Sequence, residues 1–135
     1  MSTFSLKIVT PDGLLYDGQA ERIIVRTTEG DMAVLARHMN CVAALGMGMA
    51  TVVDAEGNRQ TAACIGGMLS VQNGAVTLVP TTFEWSHTID EARAHLSQQR
   101  AERVLNDSNA SATDIALAEA RLHRALVRKS VASYK

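Results

Sequence analysis

Phe83-Glu84-Trp85-Ser86-His87-Thr88-Ile89-Asp90-Glu91-Ala92-Arg93-Ala94 is the stretch on which the reading of the fold turns. Upstream of it the chain is punctuated by glycine. All nine glycines lie between Gly13 and Gly74, and both prolines, Pro11 and Pro80, precede residue 81. Downstream, Ala, Arg, Leu and Glu dominate. Glycine and proline mark turns, whereas Ala, Leu, Arg and Glu favour helices. The first part therefore predicts strands and turns, and the last part helix. Charge divides the same way: residues 1–86 hold 5 basic and 8 acidic side chains, residues 87–135 hold 8 and 6. The expected boundary lies in Phe83-Glu84-Trp85-Ser86-His87, giving domains 1–86 and 87–135.

Within the first domain, short strands are expected at regular spacing. Phe4, Leu6 and Ile8 alternate with Ser5 and Lys7. Pro11-Asp12-Gly13 predicts a turn, with proline presetting φ and glycine free to take a positive φ. Leu14-Leu15-Tyr16 leads to a second predicted turn at Asp17-Gly18. Arg22 to Thr27 reads as extended, and Glu29-Gly30-Asp31 breaks it. Met49, Thr51 and Val53 alternate with Ala50 and Val52. Glu56-Gly57-Asn58 is a hairpin candidate, and Asn73-Gly74 a stronger one, because that pair suits a type I′ turn. Many short strands with frequent turns predict an antiparallel β-sandwich or barrel.

The second domain predicts two helices. Thr88 with Glu91 has the spacing of a capping box. Ile89, Ala92, Leu96 and Gln99 fall on one face, with Val104 and Leu105 near the end. Residues 106–112 are small and polar and suit a loop. Ser111 with Asp114 is a second capping signal. Ile115, Ala118, Leu122 and Ala125 repeat at helical spacing. The result is an antiparallel two-helix hairpin with an Ala-rich seam that buries little apolar area. The whole chain is expected to be α+β.

Several function classes are excluded. The 13 basic and 14 acidic residues nearly balance, where a nucleic-acid protein would show a basic stripe. The longest weakly polar run, Cys41 to Val53, is broken by Gly46 and Gly48 and falls short of the ~18 residues of a spanning helix. No signal peptide is expected at the N-terminus. In a cytosolic setting Cys41 and Cys64 stay reduced. His38-x-x-Cys41 has a metal-compatible spacing, but no second pair completes a site. Gly-x-Ser-x-Gly, His-Glu-x-x-His and paired-Cys motifs are absent, as is a Walker-type glycine loop.

The chain resembles the epsilon subunit of F-type ATP synthases over its whole length. The residues that carry the resemblance are Phe4-Ser5-Leu6-Lys7-Ile8-Val9-Thr10-Pro11-Asp12-Gly13, then Glu29-Gly30-Asp31-Met32 followed by Leu35 and His38. Gly66-Gly67-Met68-Leu69-Ser70-Val71 and Ile89-Asp90-Glu91-Ala92-Arg93-Ala94 complete them. One segment departs. Where the family usually has Leu-Pro-Gly-His-Ala-Pro, this chain has Leu35-Ala36-Arg37-His38-Met39-Asn40, so a differently shaped loop is expected.

The resemblance implies a non-catalytic subunit of the central stalk, peripheral to the cytoplasmic face of a bacterial cell membrane. It implies a sandwich beside the gamma subunit and on the c ring, with catalysis in partner subunits and no required cofactor. Glu29, Gly30 and Asp31 match the turn that approaches the c ring. His38, Met39 and Cys41 match the segment facing gamma. The apolar run Cys41 to Leu45, with Met47 and Met49, reads either as core or as an exposed patch for gamma. The hairpin is implied to lie on the sandwich or to extend toward the alpha and beta subunits and block ATP hydrolysis. In some bacterial members ATP is a regulatory ligand of the hairpin. The matching residues are Ile89, Asp90, Arg93 and Ala94, with Arg124 and Arg128 on the second helix.

The chemistry of those residues suits phosphate. Arg121, Arg124 and Arg128 are spaced i, i+3, i+7 on one helical face, and with Arg93, Arg100 and Arg103 they predict a clamp across the hairpin. Asp90 has two readings, an acceptor for a nucleotide or a complement to the helix dipole. A solvated arginine face is the plainer alternative. Two other function classes stay open on sequence alone: a free-standing ATP-sensing module and a two-domain adaptor.

Overall fold

The computed structural model describes residues 2–134, so the outer ends of both predicted domains, Met1 and Lys135, lie outside the described residues. The chain divides into two units at Trp85/Ser86. The first contains β1 (Phe4–Thr10), β2 (Gly13–Thr27), β3 (Gly30–Leu35), β4 (Cys41–Ala44), β5 (Met47–Asp54), β6 (Arg59–Gln72) and β7 (Ala75–Trp85). The second contains a 3-10 turn (Ser86–Thr88), α1 (Glu91–Leu105) and α2 (Ala112–Ser133).

The strands run β1-β7-β6-β5-β2-β3, with β4 on β6 and a further β1–β2 pairing that closes the sheet on itself. The product is a β-sandwich with a barrel-like seam. One pairing departs from the antiparallel expectation: Ser5 to Ile8 of β1 run parallel to Ala75 to Leu78 of β7. Alternation in β1 is realised, with Phe4, Leu6 and Ile8 all buried. They meet Ile23 and Val25 of β2, Val34 of β3, Leu69 and Val71 of β6, and Val76 and Leu78 of β7 in one core. Each fully buried aliphatic side chain contributes about 1.5–3 kcal/mol.

Two long strands each serve several neighbours. The first half of β2 pairs with β1, and its second half with β3 and β5. This corrects the turn expected at Asp17-Gly18, which is continuous strand. Asp17 lies opposite Lys7 and Gly18 opposite Leu6, so a full ladder with β1 outweighs a local turn preference. In β6 the ladder with β7 is interrupted at Gly66, between Ile65↔Thr82 and Gly67↔Pro80, while the register on either side stays the same. Gly66 and Gly67 take φ of 69° and 100° there. A side chain on Gly67 would collide with the Val79 carbonyl and come within 2.6 Å of the Pro80 Cα. The Gly66-Gly67 motif is therefore a local distortion of the ladder, without a change of register, that admits β7 at close range.

The tight turns follow their chemistry. Asn73 and Gly74 both have positive φ, 51° and 81°, as a type I′ turn requires. The β5–β6 turn is organised by Asp54. Its carboxylate accepts from the backbone N–H groups of Glu56 and Asn58 and from the Asn58 side chain.

In the helical unit, the expected cap moves. Asp90, not Thr88, caps α1, accepting from the Arg93 N–H at 3.0 Å. Ser86–Thr88 is spent on the 3-10 turn, which leaves the helix to start at Glu91. Ser111 and Asp114 form the expected capping box of α2. The buried residues of α1 are Ala94 and Ala101; α2 buries Ala118 and Ala125 at the same seven-residue spacing, and Val131 and Ala132 near its end. The face expected for α1 is rotated. Leu96 is 51 % exposed, and Ala92 and Gln99 are exposed too. Small residues set this seam because alanine lets two backbones approach closely.

Candidate functional site

The helical unit contains a groove of about 460 Å³ between α1 and α2. Its floor is apolar, formed by Ala101, Val104, Leu117 and Ala118. Its rim carries four arginines: Arg100 from α1 and Arg121, Arg124 and Arg128 from α2. Asp107 and Asp114 also reach it, so the local balance is four cations to two carboxylates. The i, i+3, i+7 spacing on α2 is what aligns its three arginines along one wall. Guanidinium groups hold phosphate oxygens bidentately, and the volume is that of a small-molecule site.

Of the residues expected to bind ATP, the structure brings Arg124 and Arg128 to this groove. Ile89, Asp90, Arg93 and Ala94 do not line it. Arg93 shares a helical face with Arg100 but sits seven residues earlier, about 10 Å along the axis. Ala94 is buried, and one Asp90 oxygen is occupied by the cap. Arg103 does not line the groove either, so the α1 contribution to the expected clamp is Arg100 alone.

On the sandwich, Thr28 and Glu29 form the tip of the β2–β3 hairpin, closed by the Thr27↔Gly30 pair. Thr27 ties it by donating to the Gly30 carbonyl at 2.7 Å and accepting from the Glu29 N–H at 3.2 Å. Asp31 is opposite Arg26 in the ladder and forms an ion pair with it at 3.3 Å. Arg26 lies flat because Gly48 leaves room, since a Cβ there would come within 2.6 Å of the Arg26 Cβ. Both charges are mostly exposed, which limits the pair to about 1 kcal/mol or less.

The β3–β4 loop spans residues 36–40. Arg37, at the position where the family pattern has glycine, takes a φ of 67°. A left-handed bend is thus made here by a residue other than glycine. Asn40 accepts from the Asn73 N–H at 2.8 Å and anchors the loop to the β6–β7 turn. Met39 is 76 % exposed and Val42 66 %, whereas Leu45 is buried. The run from Cys41 to Leu45 is thus neither all core nor all patch, because strand alternation sends Val42 and Ala44 outward. His38 Nδ1 is 2.8 Å from the Met39 carbonyl and 3.9 Å from Cys41 Sγ. Since a carbonyl only accepts, Nδ1 carries the proton. Among the described residues no group of three or more His, Cys, Asp or Glu gathers to hold a metal. Burial pushes the Cys64 thiol up to about 12.

Residues 3–86 match the family described as ATP synthase, Delta/Epsilon chain, beta-sandwich domain. Residues 87–133 match ATP synthase, Delta/Epsilon chain, long alpha-helix domain. A relative named ATP synthase epsilon chain, from Shouchella clausii (strain KSM-K16), is 34% identical over 135 residues, covering 100% of this chain and 98% of its own. The chain belongs to the epsilon-chain family of ATP synthases.

Epsilon chains of Ruminococcus albus and Bacillus velezensis are 36% and 39% identical, covering 100% and 98% of both chains respectively. The epsilon fold is also seen in a chain of the cryo-EM structure of Euglena gracilis mitochondrial ATP synthase. There the TM-score is 0.85 at 21% identity, over 96% of this chain and 81% of that one. A chain of the Tetrahymena thermophila central stalk/c-ring structure gives 0.62 at 13%, over 96% of both. No described helix of this epsilon-family chain is long and apolar enough to cross a membrane. Reading the sequence for sites missed the Arg26–Asp31 pair. A ladder partner five residues away across a predicted turn was the available signal.

Proposed function

We propose that this epsilon-family chain is a non-catalytic rotor subunit in the central stalk of a bacterial F-type ATP synthase. The observation that carries the reading is that both family domains, sandwich and helical, match in order over nearly the whole chain. In this reading residues 1–86 attach the subunit to the rotor and residues 87–135 regulate it. The Glu29-Gly30-Asp31 end of the β2–β3 hairpin faces the c-ring loops. His38, Met39 and Cys41 face gamma, with Met39 and Val42 as its exposed apolar points. The subunit transmits proton-driven rotation of the c ring toward ATP synthesis, catalysis residing in partner subunits. It is peripheral, on the cytoplasmic face of the membrane. Its hairpin restrains ATP hydrolysis when it extends toward alpha and beta.

ATP is proposed as the regulatory ligand that holds the hairpin closed. The support is the arginine groove, whose Arg100, Arg121, Arg124 and Arg128 suit a polyphosphate. Magnitude restricts the idea: a ligand at its own dissociation constant stabilises the closed form by only about 0.4 kcal/mol, and at 100 times that by about 2.7 kcal/mol. Gating therefore needs two hairpin arrangements that are nearly balanced, which the small alanine seam favours.

Co-purification with the gamma subunit from the same source tests the assembly reading, and a failure to associate overturns it. Calorimetric titration with ATP tests the ligand. Saturable binding weakened by Arg100→Ala and by Arg124→Ala is expected, while equal binding by the variants, or no binding, removes ATP from the account.

A further inference from the structure

The alanine seam of the hairpin is bridged by a polar clasp that no part of the proposed ATP groove includes. Lys129 of α2 reaches across to α1. Its ammonium lies 2.7 Å from the Gln98 Oε1 and 3.2 Å from the His95 Nδ1. An ammonium has donors only, so both contacts require an acceptor. His95 must therefore present a bare Nδ1, with its proton on Nε2. We propose that His95 and Lys129 make the closure of this hairpin sensitive to pH, the clasp holding when His95 is neutral and failing when it is protonated.

The physical argument is one of sign. A neutral imidazole accepts from Lys129. A protonated one has no lone pair at Nδ1 and sets a second positive charge 3.2 Å from the ammonium. Imidazole is the one ordinary side chain whose charge changes between about pH 5 and 8. On α2, the element facing His95, the charged group is Lys129. Its neighbour Arg128 lines the groove instead. On α1 itself, Glu91 lies one turn before His95 and Gln99 one turn after. Glu91 offsets part of the new charge, and solvent screens the rest because His95 is exposed. The effect is accordingly graded rather than absolute. It is largest where little else holds the helices together, and here the residues the two helices bury are alanines apart from Val131.

The inference is independent of ATP binding and of assembly, and is tested on the full chain alone. Amide hydrogen exchange is followed by NMR at Ala101, Ala118 and Ala125, with rates corrected for the intrinsic effect of pH. Protection in the wild type is expected to fall about two- to fivefold between about pH 7.5 and about pH 5.5, the range carried by an exposed charged contact. His95→Gln keeps an acceptor that does not titrate and is expected to abolish the fall. Lys129→Gln removes the opposing charge and is expected to do the same. Sandwich amides serve as the internal control for global unfolding. A wild-type profile flat with pH, or one shared by His95→Gln, overturns the proposal.

Discussion

At the scale of single residues, Gly67 is the most constrained position in the sandwich. Its φ of 100° and the β7 backbone against its missing side chain combine two penalties. Gly67→Ala is expected to cost about 3 kcal/mol or more, a large share of the stability of a small domain. A urea melt reads it, and a midpoint near wild type would show that β7 can move aside. The two cysteines give a second residue-level outcome. With its thiol pushed to about 12, Cys64 is almost wholly protonated at pH 8 and is also shielded by the core. An aromatic disulfide reagent is expected to label Cys41 in the native protein and Cys64 only after unfolding. Arg37 gives the loop a left-handed bend although it is not glycine. Where a residue beside a hydrogen-bonded loop is held by Asn40 and its partner Asn73, the loop tolerates a conformation that is costly for a side chain.

Among elements, the β5–β6 hairpin shows how a turn becomes sensitive to acid. The Asn58 backbone N–H is the main cause that holds the Asp54 carboxyl below the usual range, with the Asn58 side chain and the Glu56 and Gly57 N–H groups adding to it. A carboxyl lowered in the folded state stabilises the fold above its unfolded value of about 3.9. That contribution is lost as pH falls through the folded value. Asp54→Ala is therefore expected to lower stability near neutral pH and to flatten the acid limb below about pH 4, as followed by circular dichroism. In α1, Asp90→Ala removes the cap and is expected to cost the hairpin about 1 kcal/mol, whereas Asp90→Asn retains most of it. A loss of equal size in both variants would point to the charge rather than to the cap.

The same elements explain what could be read in advance. Asn73-Gly74 was legible because a two-residue turn with both φ positive accepts few other pairs. Asp17-Gly18 carries similar local chemistry, yet its partner strand β1 is decisive, and pairing is not written in a dipeptide. Thr88 and Asp90 both fit a cap. Choosing between them depends on where the 3-10 turn ends. The α1 face was misjudged because periodicity was traced through Ala92 and Leu96, while the seam uses Ala94 and Ala101. Arg124 and Arg128 were named by the resemblance, and their helical spacing placed them on one face with Arg121. Their grouping with Arg100 instead of Arg93 depends on where α2 ends alongside α1.

For the whole molecule, the two family domains follow one another in the order and length of epsilon chains. The sandwich offers exposed, shape-defined loops, and the hairpin offers a weakly sealed pair of helices with a cationic groove. Those are the properties expected of a subunit that transmits force through one part and responds through the other. The central claim is that this chain completes an ATP synthase rotor. The most direct measurement is proton-driven ATP synthesis in membrane vesicles of the same source stripped of the chain, before and after the purified chain is added back. The account predicts that synthesis is restored and that ATP hydrolysis by the released catalytic sector falls. Synthesis that does not change on adding the chain would contradict it.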